Sequence, residues 1–176
     1  MPITPFHFGP GAALKGALGP WISFTVFAFA NMLMDVEPIT LFLVTGDPAH
    51  PYLHTLPGAT LVMLLSVWPG RRICEWAIRR WNAWLSPAQT RWLALDARIR
   101  LGPAVCGAAL GAYSHVLIDS IMHVDVRPLA PFDLSNPWQG LVSIETLHMW
   151  CVAAGLAGSV LLAFAAARRA RPRATR

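Results

Sequence analysis

The run from residue 101 to residue 122 constrains this chain more than any other stretch. It is about 22 apolar residues long, enough for a helix rising 1.5 Å per residue to cross a ~30 Å hydrocarbon layer. Its far end nevertheless carries Gly111, Ser114, His115 and Asp119, with His123 and Asp125 just beyond. On a helix His115 and Asp119 stand at i and i+4, so both side chains leave one face, and His123 extends the same stripe. Ionisable groups in an apolar helix are costly to bury without a partner. A metal ion is the partner that suits imidazole and carboxylate together.

The rest of the chain fits the same solvent. Of 176 residues, 55% are hydrophobic and 13% charged, against about 25% charged in an ordinary soluble domain. Residues 146–167 form a second clean span whose small residues (Ala153, Ala154, Gly155, Ala157, Gly158) permit close helix packing. Residues 21–36 form a third apolar run, ending in Met34-Asp35-Val36-Glu37-Pro38. Pro38 disfavours helix at Glu37, so the helix is expected to stop there with Asp35 and Glu37 at its end. Residues 57–69 are apolar and lead into a basic, aromatic stretch at 70–84 that suits an interfacial helix. The expected fold is all-α: a polytopic membrane helical bundle with the metal site at one end of the helices. Residues 1–167 are expected to form a single domain, and 168–176 a basic disordered tail. No basic segment followed by an apolar core opens the first twenty residues, so no cleavable signal is expected. Cys74, Cys106 and Cys151 have no CxxC pairing and read as small buried side chains.

The net charge of +5 could suggest nucleic acid, but the arginines flank apolar spans and are accompanied by eight tryptophans, which fits a membrane interface better. Positive-inside placement puts the 70–100 connection and the C-terminal arginines in the cytoplasm. All six histidines and seven of the nine acidic residues then collect on the opposite side. The positive-inside rule does not explain that second grouping, and a metal site does.

Four short elements resemble a known family. Thr4-Pro5-Phe6-His7 resembles an early Thr-Pro-Phe-His element. Asp35-Val36-Glu37 looks like an Asp-x-Asp element with Glu37 in place of the second Asp. His50-Pro51-Tyr52-Leu53-His54-Thr55 is similar to His-Arg-Gly-x-Thr-His-Ser, one residue shorter and without the Arg-Gly. Gly111, Ser114, His115 and Asp119 match Gly-x-x-Ser-His-x-x-x-Asp in full, and a Pro-containing loop runs on to Trp138. Together they resemble the bacterial inner-membrane metal-dependent hydrolases, which are distantly similar in motif order to zinc-dependent phospholipase C. The resemblance implies one zinc ion held by Asp35, His54, His115 and Asp119, and a possible second ion on His7 with Asp119 bridging. A third metal set is not matched, because Glu145-Thr146-Leu147-His148 has a different order and spacing.

The activity expected is hydrolysis of a phosphoester or lipid-like substrate by a multi-pass protein of the bacterial inner membrane. Zinc lowers the pKa of bound water to about 7. Glu37 or Asp125 could accept the proton, and Arg127, the one cation on the acidic side, could hold an anionic phosphate. Arg127 could equally pair with Asp125 or Asp133. The alternatives are a non-catalytic protein with a closed structural site, or an ion or metal transporter using an intramembrane His/Asp relay. A bis-histidine haem protein would need histidines facing each other within the spans.

Overall fold

The computed structural model describes residues 5–47 and 49–170. Thr4 and the tail from residue 171 onward lie outside the described residues. Among those described there is no strand, and eight α-helices follow in order. They are α1 (Phe8–Leu18), α2 (Phe24–Met34), α3 (Val36–Thr45), α4 (Leu56–Leu65), α5 (Arg71–Trp84), α6 (Pro87–Leu93), α7 (Leu101–Met122) and α8 (Ile144–Ala170). Phe24–Thr45, Leu101–Met122 and Ile144–Arg168 are each long and apolar enough to cross a membrane. Only 11% of the most apolar window in the last of these is buried by the rest of the protein. Leu156, Val160 and Phe164 are among its exposed side chains. An apolar surface of that extent calls for lipid or another apolar partner.

Small residues set the packing. α7 presents Ala104, Gly107, Ala108, Gly111 and Ala112 as a buried stripe toward α2. A Cβ on Gly107 would lie 2.3 Å from the Ser23 carbonyl oxygen, and one on Gly111 would lie 2.7 Å from that of Phe27. The two helices therefore run parallel and in step, four residues on one matching four on the other. The Ser23 amide donates to the Pro103 carbonyl (2.9 Å) at their shared start. α1 runs parallel to α8 by the same device: Gly9 abuts Cys151 and Gly155, and Gly158 abuts Ala12. Close backbone approach of this kind is how apolar helices associate without a hydrophobic drive between them.

α4 runs antiparallel to α7. The Leu56 amide donates to the Pro128 carbonyl (2.8 Å) at one end, and the Thr60 and Tyr113 hydroxyls meet at 2.7 Å further along. α4 continues into α5 through a π turn, Ser66–Gly70, that contains Pro69. A proline removes an intrahelical donor, and a π turn is one way a helix absorbs that loss.

Two expectations are corrected here. Pro38 does not end the third apolar run. It removes the donor to the Met34 carbonyl, the helix breaks at Asp35, and α3 restarts at Val36 with Pro38 in its first turn, where its missing N–H is tolerated. The Asp35 carbonyl still accepts from the Ile39 amide (3.1 Å), so backbone hydrogen bonding bridges the break. Helix α8 also continues through Arg168 to Ala170, past the tail boundary expected at residue 167.

Candidate metal centre

The parallel register of α2 and α7 builds the floor of the site. His115 and Asp119 leave one face of α7, and Asn31 and Asp35 leave the facing side of α2 one turn apart. Asp35 also closes α2 and opens α3. Glu37, in the first turn of α3, reaches the loop that carries His50 and His54. Its carboxylate accepts the Tyr52 amide (3.2 Å) and the Leu53 amide (2.8 Å). Thr55 caps α4 by accepting the Gly58 amide (3.0 Å), which leaves His54 immediately before that helix. Gly58 is required there, since a Cβ would fall 2.2 Å from the Tyr52 carbonyl oxygen. His7 stands at the end of the Pro5–His7 turn and the start of α1.

Five imidazoles thus meet at one end of the bundle. His7 stacks on His115 (centroids 4.1 Å apart), His54 meets His115 edge-on at 5.2 Å and His50 at 4.5 Å, and His50 stacks on His123 at 4.9 Å. Asp119 serves both sides. Its Oδ2 lies 3.2 Å from His54 Nε2 and 3.2 Å from His115 Nε2, while its Oδ1 lies 3.1 Å from His7 Nε2 and 4.0 Å from His123 Nε2. Asp35 Oδ1 lies 3.4 Å from His115 Nε2. The ligand atoms of Asp35, His54 and His115 lie within 4.8 Å of one another, as do those of His50, His54 and Asp119 and those of His7, His115 and Asp119.

The hydrogen bonds orient the rings of this cluster. Asn31 donates its amide to the Phe27 carbonyl (2.9 Å), which turns its Oδ1 toward His115 Nδ1 at 3.1 Å. His115 therefore carries a proton on Nδ1, which leaves Nε2 as the ring atom aimed at the carboxylates. Nε2 faces the Asp35 and Asp119 oxygens. His115 Nε2 and both ring nitrogens of His54 are buried and have no hydrogen-bond partner. A cation held between these nitrogens and oxygens would satisfy them. Ligands bonded tetrahedrally at about 2.0–2.1 Å stand about 3.3–3.4 Å apart, close to the spacing observed. The donor set, two imidazoles and two carboxylates, suits zinc.

The groups outside the membrane-crossing helices respond to the same field. Burial would push the His54 imidazole down, but the Asp119 and Glu37 carboxylates outweigh it and hold His54 above its ordinary value. For His123 burial prevails, and it is held below that value against the pull of Asp119. Burial acts upward on Asp125, yet its contact with His50 keeps the carboxyl below the usual carboxylate range.

The structure brings His7, Asp35, His54, His115 and Asp119 together. It does not leave Glu37 and Asp125 as free carboxylates. Glu37 is committed to two backbone amides and stands 3.7 Å from His54 Nδ1. Asp125 Oδ2 faces His50 Nδ1 at 2.8 Å and accepts the His50 amide at 3.1 Å. Both are positioned to orient a histidine, as carboxylates behind metal-binding imidazoles do. Arg127 is exposed and forms no ion pair with Asp125 or Asp133 among the described residues, so nothing ties it to the cluster. His148 stacks on Phe6 at 4.2 Å, apart from the other five. Two participants were not in the expected ligand set. His50 is 2% exposed and joins His54 and Asp119; its signal was a second histidine four residues before His54. Asn31 was not anticipated; its signal was an amide one helical turn before Asp35 in an apolar run.

Asn31→Ala frees the His115 tautomer, and Glu37→Gln removes the charge behind His54. Each is expected to weaken metal binding about 10- to 100-fold, the usual effect of losing such an orienting partner, with helicity unchanged. Metal titration of the purified variants measures this; unchanged affinity in both would remove these residues from the site. No protein-family model, curated protein or solved structure matches this chain.

Proposed function

We propose that this protein is a membrane-bound, metal-dependent hydrolase whose ion, zinc by donor chemistry, is held by Asp35, His54, His115 and Asp119. The observation that carries this reading is the set of buried imidazole nitrogens that face carboxylate oxygens without hydrogen bonds. When bound, the ion supplies a water acidified to a pKa of about 7 and polarises the scissile ester. His7, 3.1 Å from Asp119 Oδ1, marks the side on which a second ion would share that carboxylate. Glu37 and Asp125 hold the His54 and His50 rings in position. His123 is one-quarter exposed on the open side, and burial holds its imidazole below its ordinary value. We read this end as the outer face of the bacterial inner membrane and, by the positive-inside rule, the arginine-rich end as cytoplasmic.

The location favours a lipid-like or phosphoester substrate. A groove of about 430 Å³ lined by Leu56, Pro57, Thr60, Leu129, Phe132 and Asp133 starts two residues from His54. Its walls are mostly apolar, as an acyl chain requires. Purified protein loaded with zinc is expected to cleave at least one member of a phospholipid and phosphoester panel. Chelation should abolish turnover and zinc should restore it. Stoichiometric zinc with no turnover on that panel would sink the hydrolase reading.

One observation favours a transport reading. Asp35 lies at a helix break inside Phe24–Thr45, and discontinuous helices with charged residues mark ion sites in transporters. Zinc flux in proteoliposomes, absent in Asp35→Asn, separates it from hydrolysis.

A further inference from the structure

The end of the bundle opposite the histidines carries a second organised surface. Within residues 71–100 lie seven arginines and two acids. Six of the arginines, Arg72, Arg79, Arg80, Arg91, Arg98 and Arg100, are exposed. The two acids are engaged with backbone: Glu75 accepts the Ile99 amide at 3.0 Å and Asp96 accepts the Arg98 amide at 2.9 Å. No ion pair involves Arg72, Arg79 or Arg80 among the described residues, and Arg80 sits over the Trp76 ring at 5.9 Å.

This surface is built, not frayed. Trp81 Nε1 donates to the Leu93 carbonyl (3.1 Å). The Asn82 side chain makes two bonds to Leu95, donating to its carbonyl (2.7 Å) and accepting its amide (3.1 Å). Arg71 donates to the Ile99 carbonyl (3.3 Å), and Ser86 and Gln89 form a capping box that starts α6. α5 is strongly amphipathic. Cys74 and Ile78 pack on the bundle, while Ile73, Trp76 and Trp84 beside them are exposed, Trp84 by 82%. An unbroken helix from α4 sets the depth of α5, so its tryptophans and arginines stand where the apolar spans end. Exposed tryptophan beside unpaired arginine at the rim of a membrane helix complements an apolar layer under a negatively charged one.

We propose that α5, α6 and the segment after them form a binding surface for anionic phospholipid headgroups. The apolar edge of α5 sits among acyl chains and the arginines take the phosphates. Charge complementarity selects the occupant: an exposed net-positive face with its own acids engaged prefers lipids of net negative charge over zwitterionic ones with the same chains.

The test uses the full chain purified in detergent and native mass spectrometry with phosphatidylglycerol or phosphatidylcholine of identical acyl chains. Wild type is expected to retain phosphatidylglycerol at least about tenfold better, and the preference should shrink as salt rises. R72Q/R79Q/R80Q should bring the two lipids to within about twofold of each other, since each arginine near an anionic surface is worth about fivefold. R72K/R79K/R80K should keep the preference. R171Q/R173Q/R176Q, in the tail, should leave it unchanged. Equal retention of both lipids by wild type overturns the proposal without any variant. So does a preference that survives the glutamine triple or vanishes with the tail substitutions. Tight capture of a short DNA duplex with no lipid preference would assign the face to nucleic acid instead.

Discussion

Asp119→Ala is expected to leave the purified protein essentially without metal, whereas wild type retains about one ion or more per chain. Both oxygens of Asp119 are in use: Oδ2 faces His54 and His115, and Oδ1 faces His7 and His123. Among the described residues its carboxylate faces four imidazoles, so losing it removes much of the site. Deleting one partner from a buried, paired charge cluster costs about 3–5 kcal/mol of stability; a loss of that size in metal binding would be roughly 200- to 5,000-fold. Asp119→Asn keeps the shape and one acceptor oxygen, so it should lose less. Asp133, exposed on the loop before α8, supplies the control; its alanine variant should match wild type. Elemental analysis after dialysis against a weak chelator, followed by zinc titration, gives the numbers. Wild-type metal content in Asp119→Ala would mean that the histidine cluster holds no ion.

How much of this was legible in the sequence follows from which contacts are local. The His115–Asp119 pair needs only helical spacing, and a polar pair at i and i+4 in an apolar run is visible without a structure. The two spans around 101–122 and 146–167 follow from length and apolarity alone. Sidedness then indicated which remote histidines would share an end. The second layer was not legible, because each of its contacts joins distant segments. Glu37 was read as a free base since nothing in its neighbourhood shows that the amides of Tyr52 and Leu53 point at it. Asp125 meets His50 across 75 positions. Pro38 misled through a sound rule applied too far: it does break the helix, but a break is not an end when the following residues are apolar and helical. Asn31 was invisible because a lone amide in an apolar helix has many uses. Only the α2–α7 register, set by glycines, turns it into a partner of His115.

That register makes Gly107→Val a damaging change even though it lies more than two turns from the site. A Cβ at Gly107 would lie 2.3 Å from the Ser23 carbonyl oxygen and 3.3 Å from the Phe27 amide nitrogen. Both are backbone atoms at the start of α2, so no side-chain rotation relieves the contact. α7 must move off α2, and the Ser23–Pro103 hydrogen bond goes with it. Overpacking a tight interface costs about 1–3 kcal/mol, and more when backbone must shift. The displacement also separates Asn31 and Asp35 from His115 and Asp119, two turns and more from the substitution. Gly107→Val should therefore lower the thermal midpoint measured in chelator and, separately, weaken zinc binding at least about tenfold. Gly102 lies on the same helix with nothing within 4 Å of the corresponding position. Gly102→Ala, in the first turn of the helix, should leave both quantities essentially unchanged. Two outcomes are informative against the register argument. If Gly107→Val loses stability but binds zinc normally, the site does not depend on how α2 meets α7. If it loses neither, the close approach of the two helices is not what holds them together.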